Sequence, residues 1–314
     1  MLVHVNRSPI SGPWGGGARL INALHELAPS MGVTLVSTEE MQRIIPDVIL
    51  IVGFDGDSSH LSAQQLVAYR HSVAHLKDVR LVVRVNENDA RKGTWCVDRS
   101  LIELSSHVTG TIFVSNWLQG YFNDKGWRCR EQAVVVNGVD PNVFAPAPKL
   151  GNGRVNVVTH HWSDNYLKGF DVYDELDALA GREPEKFTFT YVGRDRGSFK
   201  HSRTVPPLQG RALGAELGRY DVYVSASRFD PGPNHVLEAL ACGLPTYVHV
   251  DGGGAVEFAG AAAAYASWDE LLTRLLACER PVNSYQLQSW HSCIQRCITF
   301  LSEHAGTTTN AAIR

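Results

Sequence analysis

Apolar runs and stretches of helical periodicity take turns along this chain. In the first half the strand-like runs are 1–6, 33–37, 47–53, 79–86, 110–115 and 133–136, and helical patterns fall near 17–29, 62–76, 98–107 and 116–125. Alternation of this kind predicts a parallel sheet covered on both faces. A proline-rich connector, DPNVFAPAPKLGNGR at 140–154, interrupts it. The alternation then restarts, with strands at 155–160, 187–192, 221–225 and 245–250 and helices near 168–180, 210–218, 234–242 and 268–279. The fold class this implies is α/β, with two Rossmann-like domains, 1–145 and 150–283, facing one another across a cleft. A last amphipathic helix over about 284–304 carries Leu287, Trp290, Ile294, Ile298 and Leu301 at helical spacing. The closing GTTTNAAIR is expected to fray.

Length and composition fit two domains of ordinary size: 314 residues, 44% hydrophobic and 19% charged. The formal net charge of -3 gives no global attraction to nucleic acid or anionic membranes. No apolar run reaches spanning length, and MLVHVN reads as a strand rather than a signal peptide. The six cysteines are scattered without a CxxC pair, as expected of reduced thiols in a cytoplasmic protein.

Candidate chemistry concentrates in residues 221–257, DVYVSASRFDPGPNHVLEALACGLPTYVHVDGGGAVE. The pattern is strand, loop, helix, strand and glycine-rich turn. Asp230 falls in the loop, Asn234 at the expected N-cap, and Glu238 about one turn inside the helix that Gly243-Leu244-Pro245 ends. A loop of this kind offers free backbone N–H groups and a positive dipole end to an anion. A carboxylate there would repel phosphate, so Asp230 and Glu238 are expected to accept hydrogen bonds from sugar hydroxyls. Near the start, Gly15, Gly16 and Gly17 precede a helix and permit close backbone approach to an anion. They do not form G-x-G-x-x-G, which argues against a nicotinamide cofactor. A polar cluster, RVNENDARKGT at 84–94, follows a buried strand and places Asn86, Glu87, Asp89, Arg91 and Lys92 at the sheet edge where α/β proteins hold ligands.

The 221–257 segment resembles the E-x7-E donor signature of the GT-B-type retaining glycosyltransferases of family 4, written here as D-x7-E and followed by LEALACGLP. VVVNGVDPNVFAP is similar to that family's NGVD-x-x-x-F-x-P, Lys168-Gly169 to its K-G, and Asp251–Gly254 with Glu257 to its G-G-x-x-E. The resemblance covers almost the whole chain, most strongly from 137 to 257. It implies a metal-independent enzyme with GT-B architecture that moves a sugar from a nucleotide-sugar donor with retention of configuration. It brings in no cofactor beyond the donor substrate, a UDP- or GDP-sugar foremost. In this reading Lys168, the Gly15–Gly17 amides and the Asn234 helix end hold the diphosphate, Asp230 a sugar hydroxyl and Glu238 the ribose. Asn86 or Glu87 stands where the family often has a histidine. The family's arginine before K-G is replaced by His160, His161, Trp162 and Ser163, leaving His161 or Arg194 as substitutes. Gly193 and Arg194 border the base under a loop at 205–210, and Gly232 and His235 complete the donor site. The 284–314 segment is expected to pack back on the first domain. The acceptor stays open between a glycan, a lipid-linked compound, a small molecule and, less favoured, a nucleic acid. The rival reading is a non-catalytic sugar-nucleotide-binding protein or assembly subunit on the same fold.

Overall fold

In the computed structural model, which describes residues 1–12 and 15–303, two six-stranded sheets carry the chain. The first is built from β1 (Leu2–Val5), β2 (Thr34–Val36), β3 (Val48–Ile51), β4 (Arg80–Val85), β5 (Gly110–Phe113) and β6 (Gln132–Val134), in the order β2-β1-β3-β4-β5-β6. The second contains β7 (Val155–His161), β8 (Phe187–Gly193), β9 (Arg203–Val205), β10 (Val222–Ser225), β11 (Thr246–His249) and β12 (Ala264–Tyr265), ordered β12-β11-β10-β7-β8-β9. Every pairing is parallel. This is the GT-B fold, two Rossmann-like domains across a cleft.

Strands such as Val48–Ile51 and Val222–Ser225 are buried along their whole length. Their side chains meet helices on both faces, so the apolar character runs through the strand instead of alternating. Short strands β9 and β12 were not anticipated; RTV and AY are too brief to carry a period-2 signal.

The last helix is Trp290–Ser302, shorter than the expected 284–304. Ser289 caps it by accepting from the Ser292 amide, so the helix starts there and 284–289 stays extended-to-irregular. Its Cys293, Ile294, Cys297 and Leu301 join Leu20, Ile21 and Leu24 of helix Gly16–Leu27 in the core of the first domain. The remainder of the 284–314 expectation, including the fraying end, lies outside the described residues.

The domains touch through specific polar contacts. Ser115 Oγ donates to the Pro231 carbonyl at 2.5 Å, and Asn88 Nδ2 donates to that of Phe229 at 3.1 Å. Among the described residues no helix is long and apolar enough to cross a membrane.

Candidate active site

At the carboxyl ends of both sheets the domains enclose about 840 Å³ of empty space, measured to its open mouth. Carboxyl ends of parallel strands are where this architecture leaves backbone and loop groups free to meet a ligand.

From the first domain come the Gly15–Gly17 turn, Arg19, Asn86 and Asn137. A side chain on Gly16 would put its Cβ 2.6 Å from Asn137 Nδ2 and 3.1 Å from Asn234 Oδ1 of the second domain, so glycine lets this turn sit against the asparagine pair. Asn137 Nδ2 donates to Asn234 Oδ1 at 2.6 Å while its own oxygen accepts from the buried Arg84 guanidinium at 2.5 Å. The Asn137-Gly138 pair therefore does more than turn the chain, since its amide lines the cleft.

From the second domain come His160, His161, Lys168, Gly193, Asp230, Gly232, Asn234, His235 and Glu238. The helix carrying the last three runs Asn234–Ala241, with Pro233 at the N-cap, so Asn234 is the first helical residue rather than the cap. Pro233 has extended backbone, φ -73 and ψ 103, and its missing N–H costs nothing at a helix start.

Each acid is paired with a cation from the opposite domain and with a second basic side chain from its own. Lys168 Nζ donates to Asp230 Oδ2 at 2.9 Å, and Arg91 Nε lies 3.6 Å from the same oxygen. Burial alone would raise the Asp230 carboxyl, but Lys168 and Arg91 hold it well below the usual carboxylate range. Glu238 is paired with the Arg19 guanidinium and with His160 Nε2, the latter at 2.8 Å. Arg19 was not among the expected site residues, whereas Arg91 belongs to the polar cluster expected at the sheet edge, without a role assigned to it. Both are brought in by the domain juxtaposition, and their only sequence cue was the flanking motifs, GGGAR and NENDAR.

Burial lowers Lys168 to about 8, against the pull of Asp230. The ammonium is thus the dominant form below that value and is lost above it. Affinity of the cleft for inorganic pyrophosphate is expected to fall as pH rises through about 8, as calorimetric titration on either side of that value will show. Lys168→Arg, which does not deprotonate in this range, should flatten the profile.

The remaining expectations divide. His235 joins His160 and His161 in a cluster of imidazoles, with the His161 and His235 ring centroids 4.6 Å apart. Burial and the neighbouring cations hold all three neutral, His235 at about 3. Among the described residues no group of three or more His, Cys, Asp or Glu side chains is disposed to hold a metal ion. Glu87 is not brought to the cleft: it pairs with Lys92, the last residue of the short helix Asp89–Lys92, and lines a separate small cavity. Arg194 is exposed and is not among the cleft-lining residues; its guanidinium lies 5.8 Å from the ring of Trp162, which is. Glu257 lies on a helix, Gly254–Ala259, where a turn was expected. Its carboxylate accepts from Asn116 Nδ2 at 2.7 Å and from the Trp117 amide at 3.0 Å, tying the domains together rather than facing the donor cleft. Pro207 and Leu208 of the 205–210 loop do line the cleft, beside Gly193.

No protein-family model matches the chain, and no curated protein sequence matches it. Solved structures do. Anabaena Alr3699/HepE in complex with UDP-glucose is 17% identical with a TM-score of 0.68, over 96% of this chain and 99% of that one. Sucrose-phosphate synthase (tll1590) from Thermosynechococcus elongatus is 11% identical at a TM-score of 0.67, over 95% and 97%. The lipopolysaccharide outer core galactosyltransferase WaaB, in its apo form, is 15% identical at 0.64, over 97% and 96%. At these identities the likeness is one of fold.

Proposed function

We propose that this chain is a glycosyltransferase that moves a sugar from a UDP- or GDP-sugar to an acceptor hydroxyl, with retention of anomeric configuration and without a metal ion. The observation that carries the reading is the convergence of Lys168, the Gly15–Gly17 turn and the start of helix Asn234–Ala241 on one cleft, beside the two buried acids of the D-x7-E segment. An ammonium, free backbone amides and a helix N-terminus are what a departing diphosphate needs, and together they replace a divalent cation. The bond from the anomeric carbon to the diphosphate oxygen breaks, and its electron pair leaves with the nucleoside diphosphate. The acceptor oxygen bonds to that carbon on the same face, and its proton passes to the departing diphosphate. Asp230, ionised and pinned by Lys168, serves as an acceptor for a sugar hydroxyl rather than as a nucleophile. The UDP-glucose held by the Anabaena protein fits the same donor class.

Incubation with UDP-, GDP- and ADP-sugars, read by release of the nucleoside diphosphate, tests this. Turnover is expected to survive EDTA, and NMR of the new anomeric centre should show the configuration of the donor. Loss of turnover with EDTA, restored by manganese or magnesium, would exclude the metal-free mechanism. Donor binding with neither transfer nor hydrolysis would favour a sugar-nucleotide-binding module.

A further inference from the structure

His161 ends β7 inside the cleft, 3% exposed, and its Nδ1 has no hydrogen-bond partner. A buried imidazole nitrogen left unpaired is costly, so its place on a residue that lines a ligand cavity calls for a ligand atom. The other nitrogen identifies which kind. His161 Nε2 lies 2.7 Å from the Tyr173 hydroxyl. That hydroxyl oxygen already accepts from the Ala226 amide at 3.0 Å and from Thr159 Oγ1 at 3.2 Å, the threonine oxygen lying farther, 3.4 Å, from Nε2. With both lone pairs used, the phenol has only its proton to offer, and it donates to Nε2. A neutral imidazole that accepts at Nε2 carries its hydrogen on Nδ1. The orphan is therefore an N–H donor, and it faces the cavity that Lys168 and Asn234 also line.

We propose that His161 Nδ1–H donates to an oxygen of the donor's diphosphate and that Tyr173 is the positioning residue that fixes this tautomer. The proposal rests on the glycosyl-donor reading above. It also separates the two substitutes for the arginine missing before Lys168-Gly169: His161 faces the ligand space, whereas Arg194 lies over Trp162. Burial, with His235, Lys168 and Arg91 around it, keeps the ring neutral, so it contributes a directed hydrogen bond and not a charge. Tyr173 is itself immobile, since burial raises its phenol far above its ordinary range and it packs in the core with Phe170 and Tyr191.

The test combines binding with a direct view of the proton. Nitrogen-15 NMR of the imidazoles should place the His161 hydrogen on Nδ1 in the ligand-free wild type and show mixed tautomers in Tyr173→Phe. Calorimetry with UDP, GDP and ADP should show about a 10-fold loss of affinity in His161→Leu, the worth of one hydrogen bond to a charged group. Binding of the corresponding nucleosides should not change. His161→Asn, whose amide nitrogen sits where Nδ1 was, should recover most of the loss, and His161→Gln should not. A hydrogen on Nε2, or unchanged diphosphate affinity in His161→Leu, overturns the proposal while leaving the donor reading in place. Equal losses for nucleosides and diphosphates would also overturn it, as a distortion of the site. If the wild type binds none of the three diphosphates, the donor reading falls first and this assignment with it.

Discussion

Replacing Lys168 with alanine is expected to weaken nucleoside diphosphate binding by about 10- to 100-fold, the span of a lost charge-assisted hydrogen bond in a buried site. The effect has two parts. One is the missing ammonium. The other is the carboxylate it leaves behind, because Asp230 Oδ2 loses its 2.9 Å partner and keeps only Arg91 at 3.6 Å. An under-compensated carboxylate beside a diphosphate repels it. The two parts separate in a double variant: Lys168→Ala with Asp230→Asn should bind better than Lys168→Ala alone, since the repulsion is gone. Calorimetric titration of the wild type, both single variants and the double variant measures the coupling. The single lysine variant should still fold but melt at a lower temperature, since a buried acid has lost a partner. Unchanged affinity in Lys168→Ala would remove the lysine from the site.

How far this arrangement was legible in the sequence depends on the range over which each contact acts. The strands VILI and LVVRV, the three-glycine turn and the Lys168-Gly169 step are local; pattern located the first two, and the family resemblance singled out the last. The pairing of Arg19 with Glu238 and of Arg91 with Asp230 is not local. It depends on how two independently folded sheets meet, and no periodicity within either half encodes it. Glu257 shows the same limit from the other side. Its sequence context pointed at the donor, yet the carboxylate faces the free amide of Trp117 at a helix start of the first domain. Glu87 and Asn86 are neighbours in the sequence, yet Asn86 reaches the cleft as well as the small cavity while Glu87 reaches the small cavity alone. Even the N-cap error at Asn234 has a local cause. Asn is the stronger capping residue by propensity, but here its side chain is engaged with Asn137 across the cleft, and proline takes the boundary.

Gly169→Ala is expected to destabilise the fold strongly, at about 3 kcal/mol or more. Gly169 links the single-turn helix Tyr166–Lys168 to helix Phe170–Arg182 and holds φ at +98, where a side chain is strained. Strain of that kind accounts for about 1–2 kcal/mol. The larger share is contact, for an added Cβ would lie 2.2 Å from the Ala226 Cβ and 2.5 Å from its carbonyl carbon. Ala226 cannot retreat easily. It is fully buried at the end of β10, and its amide donates to the Tyr173 hydroxyl. Gly197 supplies the control, since it is exposed, has φ +72 and would meet nothing within 4 Å. Gly197→Ala should therefore show the conformational cost alone, and Ala226→Gly should rescue Gly169→Ala only in part, because the backbone contact persists. Chemical denaturation midpoints of the four variants decide the matter. Equal destabilisation at Gly169 and Gly197 would mean that backbone strain, and not the approach of β10, fixes glycine beside the lysine.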